Sequence, residues 1–357
     1  MQRISRREWL RRIGLPFLGA FGAVALACRS RVSPLASAPT PPTSTSAATA
    51  TSAAATATSA ATAAGATPSP AAEAPAATNA PPSPAPTGTA YLAVARGSSP
   101  TANVEAALRA IGGIERFVQP GNDVIVKPNI CVAYHTPEYA ATTNPEVVAA
   151  LVRLCLDAGA RRVRVMDQPF GGTADEAYSR SGIADAVQSA GGEMEVMAGM
   201  KFASVAIPGG QDIKEWIVYR DALDADVLIN VPIAKTHDLA VLTLGMKNLM
   251  GLIEDRGGLH PNLAQRVADL TTLFRPALTV VDATRILVAN GPSGGNLEDV
   301  RQTQTVIASH DIVAADAYAA TLFGLTAADI PATRAGAAMG LGTLDLAGIR
   351  IEEISAG

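Results

Sequence analysis

From residue 90 onward the chain alternates short, dense apolar runs with longer stretches in which apolar residues recur every three or four positions. The first pattern predicts strands and the second predicts amphipathic helices. "YLAVAR" (91–96), "NDVIVKPN" (122–129), "RRVRVMDQP" (161–169), "DVLINVPIAKTH" (226–237), "PALTVVDAT" (276–284) and "TQTVIASHD" (303–311) read as strands. "ANVEAALRAIGGI" (102–114), "TNPEVVAALVRLCLDAGA" (143–160) and "IVAADAYAATLFGL" (312–325) read as helices. The second of these carries its own punctuation: Asn144 as N-cap, Pro145 at the first helical position, Glu146 in the first turn and Gly159 at the end. Strands rich in Val, Ile and Leu with helices between them predict an α/β fold: a mostly parallel sheet with helices on both faces. A small inserted lobe is expected around residues 192–219.

The first quarter of the chain breaks this pattern. Between residues 29 and 89 it is nearly all Ala, Thr, Ser and Pro, with no large apolar residue after Leu35. Such a segment cannot bury enough surface to offset its ordering entropy, so a disordered tether is expected. At roughly 5–6 Å × √n it spans on the order of 40 Å. Before it, Ser5-Arg6-Arg7 followed by Trp9-Leu10-Arg11 matches the twin-arginine pattern, and a weakly apolar run follows. That run is shorter than the ~20 apolar residues a membrane span needs. Residues 1–28 therefore read as an export signal. Ala25-Leu26-Ala27-Cys28 resembles a lipoprotein cleavage box, although Ala25 stands where Leu is favoured. The expectation is lipidation of Cys28, a membrane anchor through that lipid, and a domain at 90–357 on the outer face of the cytoplasmic membrane or in the cell envelope.

Composition excludes some functions. The formal charge of −4 and the lack of a basic tract argue against nucleic acid as a partner. Beyond Cys28 only Cys131 and Cys155 remain, in no metal-ligand spacing, so no cysteine-ligated iron–sulfur cluster is expected. Both read as small buried hydrophobes.

Lysine is scarce, five against 23 arginines, yet three lysines sit in apolar surroundings. Lys127 ends one strand, followed by Asn129, and Lys235 ends another, two residues before His237. Lys247 precedes Asn248 at the edge of a short apolar helix around Leu244, Met246, Leu249 and Leu252. Ligands of open parallel sheets bind beyond the carboxyl ends of the strands. Lys127, Asn129, Lys247 and Asn248 are thus candidate anion-binding groups, with Lys235 and His237 as candidate catalytic groups. A single strand-terminal lysine is more often a salt-bridge partner, and a single histidine is more often structural. It is the recurrence that points to a site. Asp282 is expected at a strand end, and Asp311 reads as the N-cap of the helix carrying Asp316. A carboxylate inside that Ala-rich helix needs a partner. One of the lysines would serve, and so would a divalent metal shared with Asp282 and His310. "GPSGGN" (291–296) lacks a phosphate-loop frame and reads as a surface loop.

The pieces "VIVKPN", "TTNPEVVAALVRLCLDAGA", "LINVPIAKTH", "VLTLGMKNLMG", "VVDAT…GPSGG" and "ASHDIVAADAYA" occur in order between about residues 101 and 325. Together they resemble the domain of unknown function 362 family of bacteria and archaea. Several members carry an added ferredoxin-like cysteine cluster, and this chain lacks those cysteines. The resemblance implies a site built on the polar residues already named and leaves its reaction to their chemistry. The leading expectation is an exported, lipid-anchored α/β protein with an anion- or metal-binding crevice, acting on a small anionic substrate if it is an enzyme. Its rival is a non-catalytic binding module using the same crevice.

Overall fold

The computed structural model describes residues 88–357. The expected export signal, Cys28 and almost all of the expected tether lie outside the described residues. The chain enters through β1 (Leu92–Arg96) and α1 (Pro100–Ala110), then β2 (Asp123–Pro128), α2 (Pro145–Asp157) and β3 (Arg162–Val165). Helices α3 (Ala174–Arg180) and α4 (Ile183–Ser189) lead to β4 (Glu193–Met194), and β5 (Phe202–Ala206) and β6 (Glu215–Tyr219) follow. Then come α5 (Asp221–Asp224), β7 (Val227–Val231), β8 (Ile233–His237) and β9 (Val241–Thr243). The remaining elements are α6 (Gly245–Asn248), α7 (Leu263–Phe274), β10 (Leu278–Leu287), β11 (Val300–Ser309), α8 (Ile312–Thr321), α9 (Pro331–Ala338) and β12 (Ile351–Ser355).

One sheet dominates, in the order β12-β1-β11-β10-β7-β2-β3-β4, with β8 on β10 and β9 on β8. The pairs β10–β7, β7–β2, β2–β3 and β3–β4 are parallel, as is β1–β12; β11 runs against both its neighbours. The expected α/β fold with a mostly parallel sheet is what forms. Its two faces follow from strand alternation: Val124 and Val126 enter the core under α1, α2 and α4, while Ile125 between them enters the core under α7. The expected lobe is the antiparallel pair β5–β6, a separate two-stranded sheet.

Helix α2 begins as its sequence dictates, with the Asn144 side chain accepting from the Glu146 N–H and Gly159 in the left-handed region just past its end. Two strands differ from expectation. The run from 226 to 237 is cut by Pro232 into β7 and β8, because proline removes a ladder donor. Strand β10 does not stop at Asp282 but runs on to Leu287, paired with β11. Among the described residues no helix is long and apolar enough to cross a membrane.

Candidate functional site

The carboxyl ends of β2, β3 and β8 open into a crevice of about 420 Å³. Its lining includes Asn129, Cys131, Asp167, Lys235, His237, Lys247, Asn248, Arg256 and His260, with Ile130 and Met250 as apolar wall and exposed Phe170 and Leu239 at the rim.

Beneath it lies Lys127, wholly buried. Its Nζ pairs with Asp167 Oδ1 at 2.7 Å and donates to Pro128 O at 2.7 Å and Asn248 Oδ1 at 3.1 Å. Asp167 in turn accepts from the Ile130 N–H at 2.6 Å. Burial lowers the Lys127 ammonium to about 8, and Asp167 opposes that shift. Either charge alone in this position would cost several kcal/mol, so the pair acts as one neutral unit.

Asparagines carry the network upward. Asn129 Nδ2 donates to Asn248 Oδ1 at 3.1 Å, and Asn248 Nδ2 donates to Asn230 Oδ1 at 2.9 Å. Lys235 donates to Asn129 Oδ1 at 2.7 Å and to Ala141 O at 2.6 Å. Among the described residues no carboxylate lies within ion-pair distance of Lys235, and burial lowers its pKa. Lys247, half-buried, has no hydrogen-bond or ion-pair partner among the described residues. Burial, then the charges of Lys235 and Arg256, brings it down to about 8. Arg256 donates only to the backbone oxygen and side-chain oxygen of Gln168.

His237 is set differently from expectation. Its Nδ1 accepts from the backbone N–H groups of Leu239 (3.1 Å) and Ala240 (3.4 Å), which leaves the proton on Nε2. Burial, with Lys247, Lys235 and His260, holds its pKa down at about 3. His237 therefore stays neutral, with an N–H to donate and no free lone pair to serve as a base.

Two glycines hold this geometry. A Cβ on Gly251 would meet Asp167 Oδ1 at 1.9 Å and Lys127 Nζ at 2.7 Å. A Cβ on Gly245 would meet Asp316 Oδ1 at 2.7 Å. The second approach explains Asp316: its oxygens accept from the Gly245 N–H at 2.6 Å and the Met246 N–H at 3.0 Å. It is the carboxyl group that caps the start of α6, the helix that carries Lys247 and Asn248.

The structure thus brings Lys235, His237, Lys247, Asn129 and Asn248 to one crevice with Lys127 directly below, and it leaves Asp282, Asp316 and His310 elsewhere. Buried Asp282 accepts from the Asn144 N–H at 2.7 Å and from the Thr284 N–H (2.9 Å) and hydroxyl (2.7 Å), anchoring the start of α2. His310 leaves antiparallel β11 toward the amino ends of the parallel strands and meets Tyr91 edge-on, ring centroids 4.4 Å apart. These three do not share a metal, and no group of three or more His, Cys, Asp or Glu among the described residues is arranged to hold one. Both cysteines are buried and unpaired: Cys155 belongs to the core, whereas Cys131 lines the crevice. In place of a phosphate cradle, the 291–296 loop lends Pro292 to the crevice wall.

Several lining residues carry no role in the sequence reading, Asp167, Gln168, Arg256 and His260 among them. Asp167 and Gln168 follow β3, and the strand-end rule that found Lys127 applies to them equally. Arg256 and His260 come from an irregular loop that carries no such signal.

Fold and crevice define an α/β protein with a cationic pocket at the carboxyl edge of a mostly parallel sheet. The chain belongs to the family described as Domain of unknown function (DUF362), whose model matches residues 124–321. A thylakoid-associated protein of Synechocystis sp. (strain ATCC 27184 / PCC 6803 / Kazusa) is 28% identical over 255 residues, 67% of this chain and 75% of that protein. Two solved structures are similar at 14% identity. The lactate racemase apoprotein from Thermoanaerobacterium thermosaccharolyticum has a TM-score of 0.36 over 63% of this chain and 55% of its own. A protein from Thermotoga maritima has a TM-score of 0.39 over 64% and 60%. The chain spans a little over half the length of these two.

Proposed function

We propose that this protein is exported, anchored to the membrane through a lipid on Cys28, and uses the crevice as an enzyme site for a small organic anion. One observation carries the anion: Lys235, Lys247 and Arg256 line a single pocket, and among the described residues no carboxylate lies in ion-pair distance of any of them. The carboxylates that line it are Asp167, already paired with Lys127, and Asp238, exposed near the mouth. Desolvated positive charge without a partner is costly, and an anionic ligand supplies the missing partner. A carboxylate suits the pocket's size and its apolar wall.

Lys247 favours an enzyme over a passive binder. Unlike Lys127, which is paired with Asp167, Lys247 lines the crevice without a partner among the described residues. Its amino group, with a pKa lowered by burial, can therefore give up a proton to a bound substrate as well as hold an anion. His237 contributes an N–H to orient the substrate. The name of the thylakoid-associated relative supports membrane association.

A thermal-shift series of small carboxylates, inorganic phosphate and organic cations tests the pocket. Carboxylates should raise Tm and cations should not, and a response to cations alone would contradict the reading. Feeding cells a fatty-acid analogue tests the anchor: the native protein should be labelled and Cys28→Ala should not.

A further inference from the structure

Four of the protein's five lysines have partners. Lys127 has Asp167, Lys201 has Glu195 and Asp221, Lys214 donates to Gly210 O, and Lys235 has Asn129 and Ala141. Lys247 is the exception, and all five lie among the described residues. Its backbone is fixed on both sides, by Asp316 at the start of α6 and by Asn248 bonded to Asn230. The short helix α6, held at both ends, therefore presents an amino group without a partner among the described residues to the crevice that also carries Lys235 and Arg256. Such crowding favours the neutral, nucleophilic amine. The same positive charge attracts a carboxylate, and Ile130, Met250, Phe170 and Leu239 give the crevice an apolar lining beside it.

We propose that Lys247 forms an imine with the carbonyl carbon of a 2-oxo carboxylic acid bearing an aliphatic tail, an inference that rests on the anion-binding reading above. The substrate carboxylate lies between Lys235 and Arg256, its tail follows the apolar wall, and its carbonyl carbon faces the Lys247 Nζ. The nitrogen adds to that carbon, the carbonyl C–O bond breaks after the addition, and the oxygen leaves as water with the two amine protons. No oxidant or reductant enters. Uptake of one further proton gives an iminium whose charge the substrate carboxylate offsets.

The test incubates the purified full chain with 4-methyl-2-oxopentanoate and sodium cyanoborohydride at about pH 8, where the amine is half neutral, and maps the reduced adduct by mass spectrometry. The dominant adduct is expected on Lys247, exceeding by about tenfold or more that on Lys201, whose ion pairs with Glu195 and Asp221 hold its proton. Lys247→Arg should give no adduct yet still bind the acid in titration calorimetry. Binding without an adduct in the native protein, or adducts spread evenly over the lysines, overturns the imine and leaves the anion site standing. Neither binding nor adduct overturns both.

Discussion

The Lys127 ammonium and the Asp167 carboxylate meet at 2.7 Å, with the two side chains 0% and 3% exposed. Lys127→Met leaves Asp167 charged and buried beside a methyl group. Such orphaning costs about 3–5 kcal/mol, to be read in urea unfolding. Lys127→Met with Asp167→Leu removes both charges and should recover most of that loss. A single variant as stable as the native protein would show that the pair contributes nothing to the fold.

Gly251 is packed against that pair. Gly251→Ala places a methyl group 1.9 Å from Asp167 Oδ1, so the carboxylate or the backbone at Gly251 must move. Overpacking alone costs about 1–3 kcal/mol, and displacement of the pair adds to it. Equal Tm values for the two proteins would mean that the approach is relieved without cost.

Asp316 holds the start of α6 through two N–H groups. In Asp316→Asn one oxygen is replaced by an NH₂ that faces an N–H donor, so one bond becomes a repulsion. A loss of about 1–3 kcal/mol is expected, with weaker anion binding because α6 carries Lys247. Burial raises the Asp316 carboxyl to about 7. Its folded form therefore holds a proton that the unfolded chain releases near the ordinary aspartate value. Native stability from this group falls as pH rises from about 4 to about 7, and Asp316→Asn should lack that slope.

Lys247 sets the opposite slope at higher pH. Its folded pKa of about 8 lies below the ordinary 10.5. Between these values the unfolded chain binds the proton and the native state does not, so stability rises with pH across that window. Carboxylate affinity should do the reverse and fall as pH passes upward through about 8. Both trends should become shallower in Lys247→Met, because Lys127 and Lys235 are also lowered and keep their share of the slope, as followed by titration calorimetry and urea unfolding from pH 6 to about 10.

Much of this was legible from residue pattern. Strand ends gave Lys127, Asn129 and Lys235, because a run of Val and Ile that stops at a lysine leaves that lysine at the sheet's edge. Apolar spacing around Leu244 and Leu249 gave the short helix that presents Lys247. What pattern could not give was direction. Asp282 looks like a strand end only until β10 is seen to continue beside β11. His310 follows a strand in the same way as Lys127, but β11 runs antiparallel, so the same local signal points to the opposite edge. Asp316, in an Ala-rich helix, is buried and needs a partner. The partner is backbone N–H, which no side-chain inventory shows. The tautomer of His237 depends on a turn of three residues and is equally invisible in the sequence.

The central claim is that unpaired positive charge in the crevice awaits a small carboxylate. Titration calorimetry of 4-methyl-2-oxopentanoate against the native protein and Lys235→Met measures it most directly, because methionine keeps much of the stem's volume and removes the charge. Binding should weaken by about 1.5–3 kcal/mol, the scale of a hydrogen bond to a charged group, with at most a small fall in Tm as the Asn129 and Ala141 oxygens lose their donor. Unchanged binding together with a large fall in Tm would contradict the account and make Lys235 a structural residue.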